Sequence, residues 1–222
     1  LDYNRAGTAL IEIVTDPVMR SSEEAAACVA EIRKLVRYLD ICDGNMEEGS
    51  LRCDANVSIR PVGSSTLGTK VEIKNMNSMR NVQRAIDAEV ERQKRVLAKK
   101  EQTVQQTRLF DADTGRTHAM RTKETMNDYR YFPDPDLSPV VVSDEWLAAI
   151  TAQMPPLPHE LYAKFVTQYK LPEYDAAVLT DTKEVALYFD EMCRHTTNHK
   201  AASNWVMGPV KSYLNENGLE MN

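Results

Sequence analysis

Leu51-Arg-Cys-Asp-Ala-Asn-Val-Ser-Ile-Arg60 alternates apolar and polar residues without a break. Leu51, Cys53, Ala55, Val57 and Ile59 fall on one side of an extended chain, and Arg52, Asp54, Asn56, Ser58 and Arg60 fall on the other. The period predicts a strand with one buried face. Its polar face is unusual, because Asp and Asn are poor strand formers and here stand mid-strand between two arginines. Two readings fit: an ordinary solvated face, or a polar sheet surface that works on ions and phosphates.

The flanking segments extend the second reading. Ala9-Leu-Ile-Glu-Ile-Val14 is a short run of buried character broken only by Glu12, a costly position for a carboxylate unless it is paired or metal-bound. Lys70-Val-Glu-Ile-Lys74 alternates again, with Lys70, Glu72 and Lys74 on one face, and Met46-Glu-Glu-Gly-Ser50 places Glu47 and Glu48 in a turn. Three strand-like segments thus offer Glu12, Asp54 and Glu72 among Arg52, Arg60, Lys70 and Lys74. Mg²⁺ takes oxygen ligands and completes its shell with water and phosphate, while Arg and Lys suit phosphate oxygens. A Mg²⁺–nucleotide surface accounts for both residue classes; ion pairing across strands is the alternative.

The composition is that of a globular protein: 42% of the 222 residues are hydrophobic and 27% charged, enough for one large or two modest domains. No run reaches the roughly 18 apolar residues of a membrane span, and no secretory leader precedes a cleavage site. The four cysteines (Cys28, Cys42, Cys53, Cys193) form no Cys-x-x-Cys pair and read as reduced thiols of a cytoplasmic protein, with Cys53 a small core residue. A net charge of −6 argues against general adhesion to nucleic acid. The candidate for a local basic patch is Arg92-Gln-Lys-Arg95 with Lys99 and Lys100, joined by Arg80 and Arg84, but the interspersed Glu89, Glu91 and Glu101 favour a solvated helix face. The chain opens at Leu1 almost inside a strand, which suggests a piece of a longer protein.

Ser21-Ser-Glu-Glu24 has capping-box form and opens a helix carrying Val29, Ile32, Leu35 or Val36, and Leu39 at helical spacing. The strand from Leu51 and the one from Thr69 to Asn75 are predicted to pair as a hairpin with a long tip. A second helix is predicted from about Ser78 to Lys99, its stripe Met79, Val82, Ile86, Val90 and Leu97. Gln106–Phe110 and Arg116–Arg121 form a second hairpin, followed by the proline-stiffened Asp128–Leu137 loop and a last strand at Val140–Val142. Helix then strands, twice over, predicts helices covering one face of a mainly antiparallel sheet. Beyond Ser143 the pattern changes to short helices punctuated by Pro155, Pro156, Pro158 and Pro172, with Asp181–Glu184 capping one of them, a kink or break at Pro209 and a stop at Gly218. The fold expected is therefore α+β, with a boundary near residue 142: an α+β domain over 1–142 and an all-α domain over 143–222.

Four strings resemble the B subunit of the aspartyl/glutamyl-tRNA amidotransferases, the GatB family. They are Leu1-Asp-Tyr-Asn-Arg-Ala-Gly-Thr-Ala-Leu-Ile-Glu-Ile-Val14, Met46-Glu-Glu-Gly-Ser-Leu-Arg-Cys-Asp-Ala-Asn-Val-Ser58, Lys70-Val-Glu-Ile-Lys-Asn-Met-Asn-Ser78 and Asp128-Tyr-Arg-Tyr-Phe-Pro-Asp-Pro-Asp136. Ser203-Asn-Trp-Val-Met-Gly208 fits the family's helical domain. Ala9 departs from the proline usual there, which touches only the stiffness of that entry. The resemblance implies a cradle related in fold to glutamine synthetase, followed by a helical domain, and a chain that is the middle part of a longer polypeptide. It implies an ATP-dependent ligase in a heterotrimer with the amidase (A) and small (C) subunits of the amidotransferase. Such an enzyme converts Glu-tRNA(Gln) to Gln-tRNA(Gln) or Asp-tRNA(Asn) to Asn-tRNA(Asn), with glutamine as amido donor. Carried onto this numbering, Glu12 and Glu72 become the first-choice Mg²⁺ ligands, Glu47, Glu48 and Asp54 the second, and Arg52, Lys74 and Arg130 candidate phosphate binders for ATP. No residue is assigned to catalysis itself, and no Ser-His-Asp or Cys-His set stands out. The rivals are a non-catalytic scaffold for tRNA and the partner subunits, and a stand-alone ligase of the glutamine-synthetase type. His195 and His199 stand at a helical metal spacing but among capping residues. Tyr129, Tyr131 and Phe132 suit either stacking on a base or packing of their loop, and Met19, Met46, Met76, Met79 and Met126 read as core filler.

Overall fold

Ser21 has extended backbone angles and its Oγ accepts the Glu24 N–H at 3.1 Å, and the first helix, α1 (Ser22–Tyr38), starts there with Glu23 and Glu24 in its first turn. The computed structural model describes residues 7–120 and 138–221. Within them the Leu51–Arg60 alternation becomes a shorter strand, β1 (Cys53–Val57), with Asp54 and Asn56 exposed and Val57 buried. It pairs antiparallel with β2 (Val71–Met76) as the predicted hairpin, and its register shifts between Cys53 and Ala55. The long tip folds back on itself so closely that a Cβ on Gly68 would lie 2.1 Å from the Ile59 carbonyl oxygen, which explains a glycine there.

Helix α2 (Met79–Ala98) is capped by Ser78, whose Oγ accepts the Asn81 N–H at 3.2 Å. It leads to β3 (Thr107–Asp111) and, through the Asp111–Gly115 turn, to β4 (Arg116–Ala119). The sheet order is β1-β2-β3-β4. Its outer pairs are antiparallel as expected, but the central pair β2–β3 is parallel. The long α2 crossover is the reason: it returns the chain to the end of the sheet where β2 began. α2 packs on β1, β2 and β4, and α1 packs on α2, so both helices cover one face. Between helices and sheet lies a core of Met46, Val57, Ile73, Met76, Val82, Ala85 and Phe110.

Two expected strands are absent. Residues 9–14 have no regular structure, and Leu10, Ile11, Ile13 and Val14 are all exposed; Val140–Val142 is likewise exposed and unpaired. A strand needs a ladder partner, and among the described residues neither edge of the sheet takes either segment. Glu12 is therefore not a mid-strand acid.

After residue 142 every described element is helical: α3 (Asp144–Gln153), α4 (Pro158–Thr167), α5 (Glu173–Leu179), α6 (Lys183–Cys193), α7 (His199–Trp205) and α8 (Lys211–Asn217). A π-helical turn over Val206–Val210 joins the last two and absorbs Pro209, as its missing N–H requires, and Gly218 ends α8 at φ 60°. A second core forms from Leu161, Phe165, Leu171, Leu179, Phe189 and Val206, with Phe165 and Phe189 edge to face at 4.9 Å. Tyr38 of α1 belongs to this second core, so the two cores meet at the end of α1.

Candidate functional site

The sheet face turned away from α2 is polar. Since successive strand residues alternate, burying Val71 and Ile73 under α2 turns Glu72 and Lys74 to the open side, and burying Val57 and Phe110 does the same for Asn56, Thr107 and Leu109. Register then lines them up in rows: Asn56–Glu72–Thr107, and beside it Lys74–Leu109–His118. Lys74 Nζ lies 2.5 Å from Asp54 Oδ2 and 3.2 Å from Glu72 Oε1, so one ammonium bridges carboxylates on two strands. Thr107 Oγ1 donates to Glu72 Oε2 at 2.7 Å. The side chains of Lys74, Asp54 and Glu72 keep 38%, 45% and 34% of their exposure, which leaves the group open to a ligand from solvent. The bond to Asp54 raises the Lys74 pKa, so Lys74 stays cationic.

The predicted site residues distribute unevenly. Asp54, Glu72 and Lys74 come together on this face. Glu47 and Glu48 lie in the preceding turn with exposed side chains, their N–H groups donating to Asn45 Oδ1 at 3.0 and 3.3 Å. Arg52 is exposed just before β1. Glu12 sits in the exposed, irregular 9–14 stretch and, among the described residues, makes no hydrogen bond or ion pair with the sheet. Arg130, with Tyr129, Tyr131, Phe132 and Met126, lies outside the described residues. Nothing in the sequence around Thr107 singles it out; only the parallel β2–β3 register brings its hydroxyl to Glu72.

Among the described residues no group of three or more His, Cys, Asp or Glu side chains converges as a metal cage. The oxygen set on the open face nonetheless fits a hydrated Mg²⁺, which is ordinarily held by one or two carboxylates with water and substrate phosphate completing the shell. Such an ion would compete with Lys74 for Asp54 and Glu72, freeing the ammonium for a phosphate oxygen. His195 and His199 do not converge: the first faces Glu191 at 3.3 Å, and the ring of the second packs on Tyr169 at 4.4 Å.

The basic residues of α2 divide by role. Arg92 is committed to Glu89 and Arg84 to the Ala112 carbonyl and the Phe110 ring, while Arg80, Lys99 and Lys100 stay on the outer surface. Lys94 pairs with Glu91 at 2.7 Å. On the inner side of the same helix, Glu89 and Gln93 are fully buried against the sheet, at 0% and 1% exposure.

Residues 1–148 match the family model of the GatB/GatE catalytic domain. Curated relatives are about half identical to the chain over the aligned residues. The aspartyl/glutamyl-tRNA(Asn/Gln) amidotransferase B subunit of Trichlorobacter lovleyi is 52% identical over 219 residues, which cover 99% of this chain and 46% of the relative. Those of Pelodictyon phaeoclathratiforme and Burkholderia pseudomallei are 54% and 51% identical, each covering 100% of the chain and 46% of the relative. The chain thus spans about half the length of these proteins.

Proposed function

Because the chain belongs to the GatB/GatE catalytic-domain family, we propose that its open sheet face forms part of an ATP-dependent transamidation site in the B subunit of a tRNA amidotransferase. The relatives carry that name. A side-chain carboxylate on Glu-tRNA(Gln) or Asp-tRNA(Asn) is a poor acyl donor, because oxide is a poor leaving group. Attack of that carboxylate oxygen on the γ-phosphorus of ATP forms an acyl phosphate and releases ADP. Ammonia then adds to the acyl carbon, loses a proton and expels phosphate, leaving the amide. Glutamine hydrolysed on an amidase (A) partner supplies the ammonia, and the heterotrimer is completed by a small (C) subunit.

The single observation that carries this reading is the Asp54–Lys74–Glu72 group on an open, solvent-facing sheet surface. Phosphoryl transfer asks mainly for positioning and charge neutralisation, and this group offers both signs side by side. Asp54 and Glu72 are the residues that would hold Mg²⁺, which when bound neutralises phosphate charge. Glu12, Glu47 and Glu48 are further acids proposed for the same shell. Lys74, Arg52 and Arg130 are proposed to contact phosphate oxygens, with Thr107 fixing the rotamer of Glu72.

In the full-length protein, assembled with its partners, Glu72→Gln and Asp54→Asn are expected to slow amide formation roughly 100-fold, the scale of losing a charge-stabilising group, while complex assembly by gel filtration stays intact. Wild-type turnover in both variants would remove this face from the reaction. One feature favours the second reading, a scaffold that binds tRNA and the other subunits without chemistry: Lys74 already neutralises both carboxylates. In that case the two variants retain turnover and instead weaken the binding of tRNA or of the partner proteins.

A further inference from the structure

The helix-covered side of the sheet holds a polar cluster that the transamidation reading does not use. Glu89 of α2, 0% exposed, receives Arg92 bidentately at 2.9 and 2.6 Å, Gln93 Nε2 at 3.0 Å and Thr117 Oγ1 at 3.1 Å. Gln93 Nε2 also donates to the Val57 carbonyl at 3.0 Å, and Arg108 donates to Thr117 through Nε at 2.8 Å and through its terminal nitrogen at 2.6 Å. No buried side-chain nitrogen or oxygen among the described residues lacks a partner, so the cluster is closed.

Its anchor points lie directly beneath the open face. Val57, Arg108 and Thr117 belong to β1, β3 and β4, and their chain neighbours on the opposite face are Asn56, Thr107 and His118. Asn56 and Thr107 are the two residues that flank Glu72 in its row, and Thr107 donates to the Glu72 carboxylate. A buried charge held by Arg92, Gln93 and Thr117 is rigid, because each donor loses a partner if Glu89 shifts. Beneath the strands on both sides of Glu72, the cluster therefore ties Glu89 to β1 through Gln93 and the Val57 carbonyl, and to β3 through Thr117 and Arg108.

We propose that Glu89, acting through Thr117, Arg108 and Gln93, is a positioning residue that sets the geometry of the Asp54–Lys74–Glu72 group on the far side of the sheet. The proposal rests on the reading of that face as a divalent-cation and nucleotide site. Glu89 touches no substrate; it acts by holding β1 and β3 at the spacing that lets Thr107 and Asp54 meet Glu72 and Lys74.

The test uses the full-length protein in its assembled complex, with Mn²⁺ as the probe, titrated in the absence of substrate and followed by the paramagnetic signal of the free ion. Mg²⁺ dependence of turnover is the second readout. Glu89→Gln removes the charge at constant shape, and Thr117→Val removes the hydroxyl that bonds both Glu89 and Arg108, leaving between them only the direct 3.5 Å contact of Arg108 Nε with Glu89 Oε2. Both are expected to weaken Mn²⁺ binding at least about 5-fold, by loss of an orienting contact, and to raise the half-saturating Mg²⁺ concentration alike. Thr117→Ser keeps the hydroxyl and should restore wild-type values. Phe165→Leu, in the distant helical core, lowers thermal stability without touching the cluster and should leave Mn²⁺ binding unchanged. Unaltered binding in both Glu89→Gln and Thr117→Val, or an equal loss in Phe165→Leu, overturns the positioning role. If Glu72→Gln itself binds Mn²⁺ as the wild type does, the reading of the face falls, and the positioning role with it.

Discussion

Glu89 and Asp54 carry the same charge in opposite surroundings. Glu89 has no exposure, and burial works against its ionised form; its hydrogen bonds from Arg92, Gln93 and Thr117 and the Arg92 charge outweigh that, holding its pKa below the ordinary glutamate value. Removing one member of a buried ion pair leaves the other unmatched, so Glu89→Ala is expected to cost about 3–5 kcal/mol in urea unfolding. Its folded pKa is depressed, so its contribution is full above the unfolded value of about 4.3 and disappears as pH falls through the lower folded value. The stability gap between wild type and Glu89→Gln should accordingly be constant near neutrality and close only below about pH 4; a gap that closes between about pH 6 and 8 would point to a different titrating group. Asp54 keeps 45% of its side-chain exposure, where an ion pair contributes little to stability. Loss of activity on Asp54→Asn would therefore report chemistry rather than unfolding. Half of this is legible in the sequence: strict alternation alone places Asp54, Glu72 and Lys74 on polar faces. That Lys74 spends its charge on Asp54 depends on a cross-strand register set by the long 58–70 tip, which no local pattern encodes.

Ser78 starts α2 at the place its sequence announces, with an N-cap hydroxyl on the Asn81 N–H. Ser78→Ala should cost about 1 kcal/mol in urea unfolding, and Ser78→Asp should restore most of it, since Asp caps equally well. No loss in Ser78→Ala would mean that packing on the sheet alone fixes the start of α2. The same helix shows where element-level reading stops. The apolar spacing predicts a stripe of Met79, Val82, Ile86, Val90 and Leu97; the first four do pack on the sheet core, Leu97 is 46% exposed, and the fully buried positions besides Val82 are Ala85, Glu89 and Gln93, which the stripe leaves out. The helical spacing of Glu89 and Gln93 from Val82 is visible in the sequence, but hydrophobicity rejects such residues unless Arg108 and Thr117 are known to meet them. For strands the failure is complementary. Ala9–Val14 and Val140–Val142 have the composition of buried strands, but composition specifies a face and not a ladder partner, and both are exposed. The parallel β2–β3 pair is readable in principle, since a strand, a 20-residue helix and a strand are the parts of a parallel crossover.

On the scale of the whole molecule, the decisive contact is between α1 and the helices beyond residue 142. Tyr38 is 1% exposed, and its hydroxyl donates to the Thr180 carbonyl at 2.7 Å, with the Thr182 carbonyl at 3.2 Å. Thr180 caps the end of α5 and Thr182 the start of α6, so one phenol serves a helix terminus whose carbonyl has no partner within its own helix. Asp40 and Lys183 pair beside it, at the edge of a cavity of about 440 Å³ also lined by Arg37, Asp43 and Glu184. Among the described residues, the other members of the helical core all lie beyond 142, so Tyr38 is where the sheet's helix layer enters that core. Tyr38→Phe keeps the ring in its apolar socket and deletes only the hydroxyl. The cost is one buried hydrogen bond, about 1–1.5 kcal/mol. That loss should appear as faster hydrogen exchange in α5 and α6 amides, with the β2 and β3 amides unchanged, because local openings follow the cooperative unit that was weakened. Equal acceleration in both regions would instead show that the two cores open together and that α1 transmits stability across the entire chain.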